Sequence, residues 1–321
     1  MTTDAELAKI LLYTNCGYTK GDSVVILEQR CINPPKEYKD KYQKSTQMCT
    51  FLYETYTKLG IDVQHIIYEP TQHQNGVDAP IKLYELTCDI LLMPTAFSLT
   101  HTNFRKHMTK KGVRVMSMPT FERAYLQFLE QMQETIQLTT HYYTSLKKSK
   151  KVILTAHNTN IECEIQQKLI FKSAGLIDED GTGQVPGAET YCVPKDMNGY
   201  FTIPKGYGGS IPVEYDVTFH IKDGLFVDFT GKDATSQSYI DTTIRPLFAK
   251  PGFNVVAELG IGTNPNITAE FLHKYGWSTL LAEKIYTTAH IANGNSKAMG
   301  GENDVPIHID WVIPDVTITF E

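Results

Sequence analysis

A histidine and an aspartate lie two residues apart near the end of the sequence, in Ile307-His308-Ile309-Asp310-Trp311. The alternation of apolar and polar residues predicts a β-strand, in which alternate side chains point to the same face. His308 and Asp310 would therefore aim at one point, and an imidazole with a carboxylate suits a divalent metal ion. The pair alone also fits a polar strand face without a metal, so the prediction depends on further ligands.

Three other segments place a carboxylate or an imidazole beside glycine, where the backbone can approach a ligand closely. Glu258 lies at the end of an apolar strand, two residues before Gly260. His290 lies between small residues and is followed by Gly294, and Glu189 lies between an irregular loop and a strand. These segments strengthen the prediction of a metal site in the second half of the chain.

The first half of the chain alternates short β-branched runs with longer amphipathic stretches, which is the pattern of strands separated by helices. We predict strands at residues 23–27, 61–68, 89–93 and 113–118, and helices at residues 4–15, 39–59 and 121–132. This order predicts a parallel sheet with crossover helices. The expected fold class is therefore α/β, with an N-terminal flavodoxin- or Rossmann-like domain.

A lysine-rich segment at residues 144–151 precedes a predicted strand at residues 152–156. We place a boundary there, with an α/β domain at residues 1–150 and a metal-binding catalytic domain at residues 151–321. The second domain is expected to be mixed α+β. It contains a predicted hairpin at residues 215–230, a strand at residues 307–313, and a helix at residues 267–274 with Asn266 as its cap.

Composition and charge argue against several functions. The net charge of −6 does not suit a nucleic-acid binder. Glu28-Gln29-Arg30-Cys31 follows the first predicted strand, where a dinucleotide-binding protein would have a glycine-rich turn. No apolar run approaches the roughly 18 residues that span a bilayer, and no secretory signal is visible. The six cysteines lack Cys-x-x-Cys spacing, so we expect reduced thiols and a cytoplasmic protein.

Three motifs in the second half resemble those of a known family: Glu258 before Gly260-Ile261-Gly262-Thr263-Asn264-Pro265, then His290-Ile291-Ala292-Asn293-Gly294, then His308-Ile309-Asp310. In this order they resemble the aminopeptidase T and aminopeptidase S family of metallopeptidases. The resemblance covers the second half of the chain. It is looser in the first half, where Lys20-Gly21-Asp22 leads into an apolar strand.

The resemblance implies a metal-dependent aminopeptidase that removes N-terminal residues from peptides and forms a homodimer. The five metal ligands that it implies are Glu189, Glu258, His290, His308 and Asp310. Such a set suits two divalent ions of zinc, cobalt or manganese, which could polarise the scissile carbonyl and activate water. Glu283 is the candidate general base, because a carboxylate that does not bind metal could relay a proton to the leaving amine.

The sequence departs from the peptidases at one position. Where they have a tyrosine shortly after the His-Ile-Ala-x-Gly segment, this chain has Lys297. Lys297 cannot act as a phenolic acid, although its ammonium could stabilise an oxyanion or bind a substrate carboxylate.

Two other functions compete with the peptidase. The related 2,5-dihydroxypyridine dioxygenase holds one ferrous ion, and His290, His308 and Asp310 would form a two-histidine, one-carboxylate set for Fe(II). Glu189 and Glu258 weigh against it, because a single ferrous site would not require them. The third interpretation is a catalytically degenerate protein that binds a peptide or a partner in a biosynthetic pathway. The intact ligand set weighs against that interpretation.

Overall fold

The computed structural model describes residues 2–321, which form two compact units. The first unit comprises residues 2–132 and Gly175–Gly187, and the second comprises Gln133–Ala174 and Ala188–Glu321. The chain passes between the units three times, so the units are not two consecutive halves of the sequence. The boundary between residues 150 and 151 stays a prediction about independently folding domains.

Strands and helices are numbered along the chain. The strands are β1 (Ser23–Gln29), β2 (Asp62–Tyr68), β3 (Ile90–Met93), β4 (Arg114–Ser117), β5 (Lys151–Ala156), β6 (Thr159–Ser173), β7 (Thr182–Gln184), β8 (Glu189–Ile203), β9 (Val217–Lys222), β10 (Leu225–Thr230), β11 (Val256–Gly262), β12 (Ala289–Gly294), β13 (His308–Ile313) and β14 (Thr317–Phe320). The helices are α1 (Asp4–Ile10), α2 (Lys39–Lys58), α3 (Asn103–Lys110), α4 (Met132–Lys148), α5 (Ala234–Tyr239), α6 (Arg245–Phe248), α7 (Ala269–Tyr275) and α8 (Thr279–Ala282). Within residues 2–321, no helix is long and apolar enough to cross a membrane.

The first unit is built on a five-stranded sheet with the order β2-β1-β3-β4-β7, in which every pair of neighbouring strands is parallel. Strands β1 and β3 are buried almost throughout, because helices cover both faces of such a sheet. Helix α2 buries an apolar stripe that includes Met48, Leu52 and Tyr56. The predicted α/β fold class is confirmed.

The predicted strands of the first unit agree with β1 to β4 within two residues at each end, but the helix predicted at residues 121–132 is wrong. That segment forms a short 3-10 helix, Arg123–Leu129, between Thr120 and Gln131, whose φ angles of 55° and 52° break the helical path. The long helix α4 begins only at Met132. Its threonine-rich sequence conceals it, because β-branched residues have low helix propensity.

The second unit contains a nine-stranded sheet, and its strand pairs are antiparallel. The main order is β13-β12-β11-β8-β6-β5-β14, with β9 also pairing with the far end of β8 and β10 pairing with β9. The predicted hairpin is confirmed as β9 and β10. The helix predicted from residue 267 begins instead at Ala269, and its cap is Thr268 rather than Asn266.

A buried carboxylate stabilises the first unit at the end of β1. Glu28 accepts hydrogen bonds from Arg30 Nε at 2.7 Å, Arg30 Nη2 at 3.0 Å, Thr46 Oγ1 at 2.6 Å and His65 Nε2 at 2.7 Å. Burial alone would raise the pKa of Glu28, but these hydrogen bonds lower it from 4.5 to about 2. The folded state therefore favours the ionised carboxylate.

The substitution Glu28→Gln is expected to lower the free energy of unfolding at pH 7 by roughly 2–3 kcal/mol, since hydrogen bonds to a buried charge are lost. Because the folded pKa lies below the unfolded value, this stabilisation is present above pH 4.5 and is lost as the pH falls toward 2. Urea unfolding of both proteins between pH 7 and pH 3 measures the difference. We expect it to shrink below pH 5, whereas a difference independent of pH would contradict the assignment.

Asp40→Asn provides the matched control in the same unit. The Asp40 side chain is exposed and pairs with Lys44 at 3.1 Å, one turn along α2. Exposed pairs of this kind contribute about 0.3–0.5 kcal/mol.

Candidate metal centre

The sequence-predicted ligands lie on four neighbouring strands of the second unit. Glu189 begins β8, Glu258 is on β11, His290 is on β12, and His308 and Asp310 are on β13. These strands are adjacent in the order β8-β11-β12-β13. Residues that are distant in sequence are thereby placed side by side.

Strand alternation separates this cluster from the hydrophobic core. Leu259 and Ile261 of β11, Ala289 and Ile291 of β12, and Trp311 and Ile313 of β13 belong to the core. Glu258, His290 and Asp310 occupy alternate positions of the same strands and point to the opposite face, where the carboxylates and imidazoles meet. Packing of one face thus positions the polar side chains of the other.

Glu258 lies at the centre of the cluster and joins the two histidines. One carboxylate oxygen lies 3.1 Å from His290 Nε2, and the other lies 3.4 Å from His308 Nε2. Burial alone would raise the pKa of Glu258, but the hydrogen bonds and charges of both histidines hold it well below its usual range. Glu258 is therefore an ionised carboxylate inside the protein.

His308 has the orientation expected of a metal ligand. Its Nδ1 lies 2.7 Å from the backbone carbonyl oxygen of Asn295, which can only accept, so Nδ1 carries the proton. Without a metal ion, Nε2 lies within hydrogen-bonding distance of Asp310 Oδ1, at 3.1 Å, and metal binding would require this nitrogen to lose its proton and present its lone pair. A carbonyl that fixes the far nitrogen of a histidine is typical of metal sites. Burial would lower the pKa of His308, but Asp310 and Glu258 raise it to about 11.

His290 is fully buried and packs against a glycine. A Cβ atom added to Gly260, its cross-strand partner, would lie 2.0 Å from the imidazole Cε1. Burial would lower the pKa of His290, but Glu258 raises it to about 9. The Nδ1 atom of His290 is buried and has no hydrogen-bond partner among residues 2–321. The protein therefore provides no hydrogen bond to this nitrogen of the imidazole.

Lys284 lies among the acidic groups, and sequence analysis did not assign it a role. Its Nζ lies 2.6 Å from Glu189 Oε2 and 2.6 Å from Glu283 Oε1, and its side chain is 2% exposed. The two carboxylates raise the pKa of Lys284 against the effect of burial. Burial, with the charges of Asp310 and Glu189, raises the pKa of Glu283 to about 7, although Lys284 opposes the shift. Glu283 can therefore hold or release a proton near neutral pH.

All five predicted ligands, together with Glu283, belong to groups whose candidate donor atoms lie within 4.8 Å of one another. The groups are Glu189, Glu258 and His290; Glu258, His308 and Asp310; and Glu283, His290 and Asp310. The donors are imidazole nitrogen and carboxylate oxygen without thiolate, which suits a divalent first-row metal. This set of donors, which converges on one face of the sheet, fits a metal ion.

The structure also places Lys297, which was predicted from the sequence as a catalytic residue. Lys297 forms an ion pair with Asp304 at 2.5 Å, and both side chains are more than half exposed, so this contact holds its ammonium at the surface. Its catalytic role stays a prediction. A further group in the first unit, Glu28, Cys49 and His65, has suitable donor types. Arg30 already neutralises Glu28 there, so the group is an ion-pair cluster rather than a metal site.

Fold and site together define a protein of the α/β class with a cluster of potential metal ligands on an antiparallel sheet. Its sequence gives the family: residues 13–321 match the NicX family, 2,5-dihydroxypyridine 5,6-dioxygenase. The chain belongs to this family.

Two solved structures have similar folds. The 2,5-dihydroxypyridine dioxygenase of Pseudomonas putida KT2440 has a TM-score of 0.74 at 15% identity, with 100% of this chain and 95% of that chain covered. Aminopeptidase T (AmpT) of Thermus thermophilus has a TM-score of 0.59 at 12% identity, with 98% of this chain and 94% of that chain covered. At these identities the similarity establishes the fold alone. No protein of curated function has a significantly similar sequence.

The family match favours a different function from the one that the sequence motifs favoured. Sequence analysis favoured the aminopeptidase and treated the dioxygenase as the alternative. Both relatives are found among the similar structures, but the family that matches residues 13–321 is a dioxygenase family. The aminopeptidase function is not confirmed, and the dioxygenase alternative is the better supported.

Proposed function

We propose that this protein is a mononuclear non-haem iron dioxygenase that opens a hydroxylated pyridine ring. The observation that carries the proposal is that Glu258 contacts both His290 and His308, while Asp310 has a donor atom within 4.8 Å of each histidine, in a chain of the dioxygenase family. Two histidines and one carboxylate are the ligand set of ferrous oxygenases. A bound ferrous ion would supply the activation of dioxygen that ring opening requires.

Residues of this chain would bind the ion, balance its charge and accept a proton from the substrate. His290, His308 and Asp310 would hold the ion, and the Asn295 carbonyl keeps His308 Nε2 directed toward it. Glu258 would balance the charge of the ion and, with its oxygens 3.1 Å and 3.4 Å from Nε2 of His290 and His308, is also placed to bind it. Glu283 is the candidate proton acceptor for a substrate hydroxyl, because its pKa of about 7 allows it to take up a proton near neutral pH.

The aminopeptidase function is the second candidate. It is favoured by the placement of Glu189 within 4.8 Å of both Glu258 and His290, since a dinuclear site would need such additional carboxylates. In that case the ions would be zinc, cobalt or manganese, and the substrate would be a peptide. A homodimer and a cytoplasmic location remain part of the proposal in either case.

Anaerobic reconstitution with Fe(II), followed by oxygen-electrode assays with 2,5-dihydroxypyridine, tests the function. We expect one O2 consumed per ring opened, with both oxygen atoms of O2 in the product and loss of the ring absorbance. The same preparation loaded with zinc, cobalt or manganese is assayed in parallel on a panel of aminoacyl amides. Amine release without oxygen uptake would replace the dioxygenase by the aminopeptidase.

A further inference from the structure

Lys284 is a buried cation between two of the carboxylates that a second metal ion would need. Its Nζ lies 2.6 Å from both Glu189 and Glu283, and the three side chains are at most 12% exposed. Ion pairs at this distance in a buried site are charge-assisted hydrogen bonds and are strongly favoured over the unpaired charges. We propose that the Lys284 ammonium takes the place of a second metal ion and limits the centre to one.

The distribution of partners supports this proposal. The four carboxylates of the cluster fall into two pairs. Glu258 and Asp310 lie closest to the histidines, at 3.1 Å, whereas Glu189 and Glu283 lie closest to the lysine, at 2.6 Å, and Glu189 is 3.9 Å from His290 Nε2. Two ions in a dinuclear centre lie about 3.5–4 Å apart and share carboxylates. A second ion would therefore have to separate Lys284 from Glu189 or Glu283 and leave a buried ammonium without its partners.

The backbone holds Lys284 in place independently of the carboxylates. Its carbonyl oxygen accepts from Asn264 N at 2.8 Å, and its own N–H donates to Leu281 O at 3.1 Å. Asn264 directly follows the segment that leaves β11, so the strand that carries Glu258 also anchors the residue that carries the ammonium. The main chain of Lys284 cannot move away from the cluster without disturbing this strand end, and the two carboxylates hold its ammonium, so Lys284 acts as a positioning residue.

The proposal also accounts for the two carboxylates that a single ferrous site would not require. Glu189 lies 3.9 Å from His290 Nε2, whereas its distance to Lys284 is 2.6 Å. Its partner in the folded protein is the lysine, so its presence does not indicate a second ion. The inference rests on the proposed function in treating His290, His308 and Asp310 as the ligands of the first ion.

The test counts metal ions in the absence of substrate. Metal-free wild-type protein, Lys284→Met and Lys284→Arg are titrated with Mn(II), and bound ions per chain are measured by elemental analysis. Electron paramagnetic resonance then separates isolated Mn(II) from spin-coupled pairs. We expect one uncoupled ion in the wild type and in Lys284→Arg, which keeps the cation. We expect a second, spin-coupled ion in Lys284→Met, because Glu189 and Glu283 become available.

Glu189→Gln keeps the test decisive if Lys284→Met does not fold. Because the proposal removes Glu189 from the first ion's ligands, this variant should bind one ion with a dissociation constant changed by less than about 10-fold, the low end for an outer partner. Two ions in the wild type, or loss of the single ion in Glu189→Gln, would overturn the proposal. If the protein binds one ion but does not open the ring, the proposed function is contradicted and this inference stands. If it binds two ions and has oxygenase activity, this inference is contradicted and the proposed function stands.

Discussion

Alanine in place of Gly260 is expected to abolish tight metal binding without removing any ligand. The added Cβ would lie 2.0 Å from Cε1 and 2.1 Å from Nε2 of His290, far inside van der Waals contact. His290 is fully buried between strands, so its ring cannot move away without leaving Glu258. We expect the dissociation constant for the metal to rise by about 100-fold or more, beyond the usual effect of an outer residue. Overpacking should also lower the free energy of unfolding by about 1–3 kcal/mol.

Leu259→Ala separates these two effects, because Leu259 is adjacent on the same strand but belongs to the hydrophobic core. This control should destabilise the protein by about 2–5 kcal/mol and leave the metal affinity of the folded protein unchanged. Isothermal titration with Co(II), together with thermal unfolding, measures both quantities for each variant. Unaltered metal affinity in Gly260→Ala would show that the imidazole can be displaced without cost, and it would exclude His290 as a ligand of the metal.

The pairing of His308 with Asp310 could be predicted because it is local. Two residues on one strand share a face whenever the strand forms, and the surrounding isoleucines and tryptophan identified that strand. The convergence of Glu189, Glu258 and His290 on the same face depends on which strands are neighbours. Strand order is set by long-range packing, so residue spacing alone could not establish it, and the ligand set depended on family motifs.

Sequence analysis could not identify the partner of Glu189. Lysines are mostly exposed, and Lys284 is next to Glu283 in a short polar stretch that is typical of a surface turn. Its burial follows from the bond between its carbonyl oxygen and Asn264 N and from the fold of the segment around α8. Without the lysine, Glu189 counted as a free ligand and favoured two ions over one. The preference for the aminopeptidase arose from the family motifs and from the presence of both Glu189 and Glu258, and the sequence could not show the contact between Glu189 and Lys284.

Removal of either ligand on β13 is expected to have the largest effect on the centre. His308→Ala deletes the imidazole whose Nδ1 is fixed by Asn295, and Asp310→Asn removes the charge that faces His308 while keeping the side-chain volume. Each variant should weaken metal binding by at least about 100-fold, since ligands matter more than the outer partners that cost 10–100-fold. His308 is 31% exposed, so its truncation leaves little buried cavity and the fold should persist.

His220→Ala is the matched control for these variants. His220 lies on β9 in the same unit, contacts Thr230 at 3.0 Å and belongs to none of the ligand groups. Metal content per chain after dialysis against a weak chelator distinguishes the variants, and circular dichroism verifies their folding. Depletion in His308→Ala and Asp310→Asn alone would assign the ion to β13. Equal depletion in His220→Ala would indicate adventitious binding, and full metal content in both ligand variants would exclude these residues as ligands. Because these variants act on the first ion and Lys284→Met acts on the second, their combined metal counts would define the nuclearity of the centre without any assay of turnover.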